Sequence, residues 1–406
     1  MTGVGKVVLK FGGTSVGDVA KIKATAEQAI REKEKGHEVV VVVSAMGKST
    51  DHLVNLAEQI NPKAPSREMD MLLSTGEQVT IALLAMAIEH EGHAAISYTG
   101  WQAGLVTEEI HGNARIQNIL TTNVGKALDE GKIVVVAGFQ GLSENGEITT
   151  LGRGGSDTTA VALAAALGAE KCSICTDVVG VYTSDPRYIS EARKLAEIDY
   201  DEMLELANLG AGVLHPRAVE YAKNFNIPLE VRGAHVVEVG TMIKEGNLLE
   251  TKQVVRGVAF DDKIARIRVS FKSVDKMNVA CIFTKLAEEH VNVDIIVQSI
   301  GEEAGPSAVS FSLKEADLEE ALRVLEQNKA AIGYHDLVTE SGLAKVSIVG
   351  SGMVSNPGVA AQMFTVLRNA GISVRMISTS EIKVSVVVPE VKMLEAAEVC
   401  HQTFDV

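Results

Sequence analysis

Short apolar runs alternate with longer helical patterns from residue 6 to about residue 243. The apolar runs have the character of buried strands. Strands that alternate with helices predict a largely parallel sheet sandwiched by helices. We assign strands to residues 6–11, 39–43, 94–97, 133–137, 172–176 and 229–231. Ligands of such sheets lie beyond the carboxyl ends of the strands, so the residues that follow each run are the candidates for a site.

A different order of elements begins after Gly246. The pattern strand, helix, strand, strand, helix occurs over residues 264–327 and again over 345–403, which indicates an internal repeat. The fold class is therefore α/β, a mostly parallel sheet sandwiched by helices, followed by two ferredoxin-like α+β modules. The predicted domains are residues 1–245, 264–340 and 341–406.

The charge of the chain limits its partners. The formal net charge is -15 over 406 residues, which argues against nucleic acid or an anionic membrane as partner. The start, MTGVGK, lacks the basic flank and apolar run of a signal peptide, and no stretch is expected to approach a membrane span. These features predict a cytoplasmic protein.

The four cysteines are too few for a disulfide framework in so long a chain. Cys172 and Cys175 form a CxxC, but the surrounding KCSICTDVVGV is typical of a buried strand. We interpret both as structural thiols and predict no metal site made by the protein.

The first candidate for chemistry is KFGGTS, residues 10–15, where a strand ends in Gly12 and Gly13 before a helix that Thr14 or Ser15 could cap. Bare backbone amides and the charge of Lys10 suit a phosphate. The alternative is a tight turn whose lysine is merely solvated.

Two further turns follow along the chain. Ser44 and Thr50 belong to a hydroxyl-rich turn that could hold a carboxylate or phosphate, or could simply cap a helix. Glu77, in STGEQ, stands at the front of an apolar helix. A glutamate there normally complements the helix dipole, and its neighbours decide whether it binds an ammonium group.

Glycine-rich GRGGSD forms the next motif, in which Arg153 is held in a turn that opens an alanine-rich helix. An arginine in that position suits a carboxylate or phosphate. TDVVGVYTSDPR, residues 176–187, then follows a strand directly. It offers a flat tyrosine face and a rigid polar loop, which could hold a purine and its ribose or could be an ordinary hairpin.

KFGGTS, GRGGSD and TDVVGVYTSDPR together resemble the signature of the amino-acid kinase family. With STGEQ and C-terminal modules that resemble ACT domains, the chain is similar to feedback-inhibited aspartokinases over nearly all its length. The resemblance implies ATP-dependent phosphorylation of the side-chain carboxylate of L-aspartate to 4-phospho-L-aspartate, with Mg²⁺, as the first step of lysine, threonine and methionine biosynthesis. It also implies inhibition by lysine, threonine or both, and a homo-oligomer or an assembly with a shorter ACT-only subunit.

The resemblance also assigns site residues. It makes Lys10 the contact to the ATP phosphates and Asp157 the organiser of the catalytic residues. The implied nucleotide set is Lys10, Phe11, Gly12, Gly13, Ser44, Thr176, Asp177, Val181, Tyr182, Asp185, Pro186 and Arg187. The implied aspartate set is Thr50, Glu77, Arg153, Gly154, Gly155 and Ser156. The implied effector set is Asn292, Val293, Asp294 and Gln298 of one copy with Val359, Ala360, Ser373, Val374, Ser380 and Glu381 of another.

The chain departs from the family pattern at two places. Gly212 stands where some members carry a lysine near the nucleotide, and residues 275–278 replace the usual Asp-Lys-Pro-Gly turn of the first module. Three other functions compete with the aspartokinase reading. These are a kinase of the same fold for glutamate, acetylglutamate or a nucleotide, a non-catalytic amino-acid sensor, and a dinucleotide dehydrogenase, which the absence of GxGxxG spacing disfavours.

Overall fold

The computed structural model describes residues 5–209, 213–246, 253–272, 277–301 and 307–406. These residues divide into two units. The first comprises 5–181, 194–208 and 213–246, and the second comprises 182–193, 209 and 253–406. The predicted boundaries at 245, 264 and 341 stay predictions.

The first unit is built from strands and helices that alternate along most of its length. Its strands are β1 Lys6–Phe11, β2 Glu38–Val43, β3 Ala95–Tyr98, β4 Leu105–Thr107, β5 Ile116–Ile119, β6 Ile133–Ala137, β7 Gln140–Ser143, β8 Ile148–Thr150, β9 Lys171–Thr176, β10 Glu197–Asp199, β11 Leu229–Gly233 and β12 Thr241–Lys244. Its helices are α1 Val19–Glu34, α2 Ser49–Ile60, α3 Ser66–Leu73, α4 Thr75–His90, α5 Thr122–Asp129, α6 Gly155–Leu167, α7 Tyr200–Asn208 and α8 Pro216–Phe225.

The main sheet of the first unit has the strand order β10-β12-β11-β9-β1-β2-β6-β3. All neighbours pair in parallel except β11 and β12. Val7, Leu9 and Phe11 of β1 belong to a core shared with α1 and α4. Because side chains alternate along a strand, Val8 and Lys10 point to the other face, where α6 packs on β1. The prediction of a parallel sheet between helices is confirmed.

A second, four-stranded sheet has the order β5-β4-β7-β8 and was not predicted. Its strands are only three or four residues long. Runs this short carry too little alternation to be separated from loops.

The segment Ser66–His90 corrects the expectation that no stretch approaches a membrane span, since its length and hydropathy are sufficient for one. In the structure it is two helices, α3 and α4, that meet at Ser74. Asp70 and Glu77 are buried within it, and Leu84 and Ile88 pack into the core beside α1. These contacts explain its composition by packing inside a folded unit.

The helix after KFGGTS is not capped as predicted. Residues Gly13–Val16 form one short 3₁₀ turn, and α1 begins three residues later. Asp18 is its N-cap and accepts a hydrogen bond from the Lys21 amide at 2.9 Å. The expected capping by Thr14 or Ser15 is therefore wrong, because the glycines continue into a separate turn before the helix starts.

In the second unit, strands and helices follow the repeated order that the sequence predicts. Strands are β13 Gly257–Phe271, β14 Ile296–Ser299, β15 Ser307–Lys314, β16 Asp336–Val349, β17 Met376–Thr379 and β18 Lys383–Pro389. Helices are α9 Val279–Glu288, α10 Leu318–Gln327, α11 Lys329–Ile332, α12 Val359–Asn369 and α13 Met393–Phe404.

Both repeats contribute to one sheet, of order β14-β15-β13-β16-β18-β17. The long strands β13 and β16 pair antiparallel at its centre. This joins the repeats, while each keeps its own apolar core, one around Phe271 and Phe311 and one around Ile348 and Val386. The internal repeat is confirmed, and β14 and β17 are left at opposite edges of the sheet.

Residues 182–193 belong to the second unit although they precede it by sixty residues in sequence. The Val258 amide donates to the Thr183 carbonyl at 2.7 Å. Ile189 is buried in the core of the second repeat, and Tyr188 contacts Phe260 edge to face, with ring centroids 5.8 Å apart. The loop is therefore held by the repeats and their sheet.

Candidate active site

A cavity of about 250 Å³ opens at the carboxyl edge of the main sheet. It is smaller than the roughly 300–1,000 Å³ of pockets for drug-sized ligands, and it suits a group the size of an amino acid. It brings residues of all but one of the sequence motifs together with one residue that the sequence did not indicate, Phe139. The lining residues are Lys10, Ser44, Thr50, Glu77, Phe139, Gly152, Gly154, Gly155, Ser156 and Asp157.

An ion pair between Lys10 and Asp157 forms one wall of this cavity. The Lys10 Nζ lies 2.6 Å from Asp157 Oδ1, and both side chains are nearly buried. Asp157 is in the first turn of α6, where the helix dipole favours a carboxylate. Within the described residues, Asp157 Oδ1 accepts no well-directed hydrogen bond. The pair therefore holds a cation at the strand end.

Gly13 allows the backbone after β1 to approach the loop after β2. A Cβ at Gly13 would lie 2.8 Å from the Ala45 carbonyl oxygen. The Gly47 amide donates to the Gly13 carbonyl at 2.9 Å. This close contact keeps the two strand ends in one fixed arrangement around Lys10.

Two serine hydroxyls connect β2 with α6. Ser44 Oγ donates to Ser156 Oγ at 3.0 Å. Gly138, which follows β6, leaves the space that this contact needs, because a Cβ there would lie 2.7 Å from the Ser156 Cβ. The hydroxyls therefore face the cavity from the end of β2 and the start of α6.

Glu77 contributes a buried carboxylate to the cavity, with 3% of the residue exposed. Its Oε1 accepts from the Ala45 amide at 3.2 Å, and its Oε2 accepts from Gln140 Nε2 at 3.4 Å. Burial raises the pKa of Glu77 to about 7. A cation brought to this carboxylate would favour its charged form, as a substrate ammonium group would.

The glycine turn before α6 depends on positive backbone φ angles. Gly152 has a φ of 75° and Gly154 a φ of 68°. A Cβ at Gly154 would lie 2.1 Å from the His215 Cγ, so the close approach of this imidazole also requires a glycine at position 154. Arg153, at the tip of the turn, is exposed and is not among the lining residues of the cavity.

Two family models match the chain. The one described as the amino acid kinase family covers residues 5–233, and the one described as an ACT domain covers residues 346–404. An aspartokinase of Bacillus sp. (strain MGA3) is 63% identical over 402 residues, which span 99% of this chain and 98% of that relative. The chain belongs to the aspartokinases.

Solved structures of similar proteins cover both units. Aspartokinase III of E. coli in complex with aspartate and ADP is 26% identical, with a TM-score of 0.81 over 98% of this chain and 99% of that one. The same enzyme in complex with lysine and aspartate is 25% identical, with a TM-score of 0.77 over the same shares. The predicted family, fold class and enzyme class, an aspartate kinase, are confirmed for this aspartokinase.

Sequence reasoning missed the residues that support the glycine turn. Asp70 is 1% exposed and accepts hydrogen bonds from His111 Nδ1 at 2.9 Å and from Thr150 Oγ1 at 2.6 Å. Arg217 Nη1 donates to the Leu151 carbonyl at 2.8 Å. Asp70 and Arg217 occupy helices far from the turn in sequence, and no local pattern distinguishes Asp70 from the other charged residues of α3.

Phe139 was also missed. It has a positive φ of 74°, which costs a non-glycine residue of order 1–3 kcal/mol. Its amide donates to Thr159 Oγ1 at 3.2 Å and its carbonyl accepts from the Leu151 amide at 2.8 Å. These bonds hold the strained residue at the cavity, and nothing in the sequence pattern signals such a conformation at a phenylalanine.

The nucleotide residues implied by the resemblance are divided between the two units. Thr176, Asp177 and Val181 belong to the first, and residues 182–187 belong to the second. Thr176 ends β9, the parallel neighbour of β1, and its Oγ1 donates to Asp177 Oδ1 at 3.0 Å. In the second unit, Arg187 Nη2 donates to Asp185 Oδ2 at 2.6 Å. This hydrogen bond lowers the pKa of Asp185, which keeps the loop's carboxylate charged.

The implied effector residues lie at opposite edges of the second unit's sheet. Asn292 and Asp294 precede β14, whereas Ser373 and Glu381 flank β17. Five steps of about 4.8 Å between strands separate these edges by roughly 24 Å. Asp294 also forms an ion pair with the buried Lys345, so its carboxylate already has a cationic partner. Gly212 and residues 275–276 lie outside the described residues.

We expect Glu77→Gln to change the pH dependence of stability. The folded pKa of about 7 lies above the ordinary value of 4.5, so the protonated carboxyl stabilises the fold below pH 4.5 and this contribution is lost as the pH rises through 7. The contribution of Glu77 to the free energy of unfolding is about 3 kcal/mol. Urea unfolding between pH 4.5 and 8 should show this decline in the parent chain and not in the variant. The exposed Glu58→Gln serves as a control, and an unchanged slope in Glu77→Gln would contradict the assignment.

We expect Gly154→Ala to abolish most activity through its contact with His215. Gly168→Ala is a matched control, because Gly168 has a similar φ of 61° but open space where its Cβ would stand. Both should lose about 1 kcal/mol of stability from the backbone. Only Gly154→Ala should lose at least tenfold in kcat/KM for aspartate, measured by ADP release. Equal activities would show that the turn tolerates displacement of the imidazole.

Proposed function

We propose that the cavity holds aspartate and that Lys10 holds the terminal phosphate of ATP beside it. The observation that carries this is the convergence of a buried cation, Lys10, and a buried carboxylate, Glu77, in one cavity. Glu77 binds the ammonium group of aspartate. Ser44, Thr50 and Ser156 supply hydroxyls, and Arg153 binds the α-carboxylate after its exposed side chain turns toward the cavity.

The reaction needs no general base. The side-chain carboxylate of aspartate has a pKa of about 4 and is already an oxyanion at neutral pH. Phosphoryl transfer therefore depends on positioning and on charge neutralisation. Lys10 and the amides of Gly12 and Gly13 neutralise phosphate charge, and Asp157 orients Lys10. Asp157 is an organising residue and accepts no proton from the substrate.

Mg²⁺ accompanies ATP in this proposal. The described residues include no cluster of three or more His, Cys, Asp or Glu side chains that could hold a metal alone. Asp157, a carboxylate that lines the cavity beside Lys10, would serve as a single carboxylate ligand beside the phosphate oxygens. When bound, the ion neutralises charge that develops on the phosphates.

The position of β9 supports the nucleotide site. Phe11 of β1 is in register with Cys175 of β9, so Thr176 and Asp177 lie next to Gly12 and Gly13 at the same edge of the sheet. The remaining nucleotide contacts, Val181 and residues 182–187, are proposed from the resemblance to the family. The enzyme acts in the cytoplasm, where ATP and free amino acids are available.

Inhibition by lysine, threonine or both acts through the second unit. The two halves of the effector set lie at opposite sheet edges, so one effector site needs the β14 edge of one chain and the β17 edge of another. Exposed backbone edges can add a strand from a second copy. We therefore propose a homo-oligomer, or an assembly with a shorter ACT-only subunit, as the regulated form, in which effector binding shifts the population away from the active arrangement.

Lys10→Ala should remain folded and lose two to three powers of ten in kcat/KM. Removing one such charged contact typically costs about 3–4 kcal/mol of transition-state stabilisation. The measurement is aspartate-dependent ADP release. Lys21→Ala is the matched control, because the Lys21 Nζ binds the Thr14 carbonyl at 2.8 Å on the same turn. A Lys10→Ala variant with near-normal rates would contradict the proposal that Lys10 binds the terminal phosphate of ATP.

Gln298→Ala and Glu381→Ala should each raise the concentration of lysine or threonine that gives half inhibition by at least tenfold. Neither should change kcat without effector, because neither residue lines the cavity. ADP release is measured with lysine and threonine separately and combined, with the exposed Glu398→Ala on α13 as control. Full inhibition that survives both substitutions would place the effector site elsewhere.

A further inference from the structure

Gln140 has no role in the assignments above, yet it is completely buried behind the cavity at the start of β7. Its Nε2 donates to the Ser74 carbonyl at 2.9 Å and to Glu77 Oε2 at 3.4 Å. Its Oε1 accepts from the Gly100 amide at 3.5 Å. Both N–H groups of the Gln140 side-chain amide thus donate to residues at the start of α4, and its oxygen accepts from the loop that follows β3.

The orientation of this amide is determined by its partners. The Ser74 carbonyl can only accept a hydrogen bond and the Gly100 amide can only donate one, so the NH₂ group must face Glu77. The backbone around Gln140 is also closely packed, because a Cβ at Gly100 would lie 2.0 Å from the Gln140 carbonyl oxygen. Gln140 cannot move without displacing the loop after β3.

Glu77 is consequently held from two sides. The Ala45 amide fixes Oε1, and Gln140 fixes Oε2. Both donors favour the ionised carboxylate, and both oppose the burial that favours the neutral acid. Of the two, Gln140 is the side chain, so its contribution can be removed by substitution.

We propose that Gln140 is a positioning residue for the substrate's amino group, acting through Glu77. It sets the direction of the Glu77 carboxylate and keeps that carboxylate ionisable at neutral pH. This inference rests on the proposed role of Glu77 as the ammonium ligand. A glutamine in this position therefore contributes to the selection of amino-acid substrates without touching them.

The test compares Gln140→Leu with the parent enzyme as purified full-length chains. Loss of one hydrogen bond to a charged group corresponds to about a tenfold change in affinity. We expect the KM for aspartate to rise about tenfold at pH 7, with kcat within about twofold and the KM for ATP unchanged. The defect should shrink toward pH 9, because the pKa of Glu77 rises when a donor to its charged form is lost.

A second readout needs no substrate. The pH at which the Glu77 contribution to urea stability is half lost should move upward in Gln140→Leu, because a donor to the charged form is lost. Thr149→Val is the matched control, because it removes a buried side-chain hydrogen bond, the 2.5 Å contact with Thr107 Oγ1, in the same four-stranded sheet. It should lower the urea midpoint similarly and leave both the KM and the pH midpoint unchanged.

The double variant Glu77→Gln/Gln140→Leu should have the same KM as Glu77→Gln alone, since Gln140 acts through Glu77. If Gln140→Leu behaves as Thr149→Val does, the proposal is overturned and the glutamine is structural. If Glu77→Gln leaves the KM for aspartate unchanged, the ammonium role of Glu77 fails, and the substrate part of this proposal fails with it. The pH midpoint of unfolding separates the two failures, because it reports the Gln140–Glu77 contact without aspartate.

Discussion

The ion pair of Lys10 and Asp157 is the interaction on which the rest of the site depends. It joins the end of β1 to the first turn of α6 at a depth where an unpaired charge would be costly. Lys10 points to the α6 face because side chains alternate along β1, and α6 begins at the right place because a glycine turn precedes it. This one contact therefore depends on which face of the sheet Lys10 occupies and on the residue at which α6 begins.

Close backbone approach makes that coupling possible. Gly13, Gly138 and Gly154 each leave room where a Cβ would collide with a neighbouring loop, serine or imidazole. Buried polar side chains complete the arrangement, with Asp70 and Arg217 holding the turn from outside the cavity. The site is therefore rigid because of its surroundings, and its lining side chains need little ordering when substrate binds.

Sequence reasoning succeeded where the pattern was long and failed where it was local. Six of the eight strands of the main sheet and the repeat after Gly246 follow from apolar runs and element order. KFGGTS and the turn at Ser44 meet at the cavity because β1 and β2 are parallel neighbours that end at one edge, whereas STGEQ and GRGGSD reach it from the starts of α4 and α6. The four-stranded sheet was missed because its strands are too short to show alternation. Phe139, Arg217 and Gln140 were missed because their importance lies in tertiary contacts that no spacing encodes.

The attachment of residues 182–193 to the second unit constrains how such enzymes can be recombined. A chimera joined near Gly246 would combine one parent's Thr183, Tyr188 and Ile189 with another parent's Val258 and Phe260, and would disrupt the packing that shapes the loop. A regulatory region transplanted between relatives must therefore bring this short upstream segment with it. In this architecture, the residues that a transplanted regulatory region needs are grouped by their contacts in the fold and not by their order along the chain.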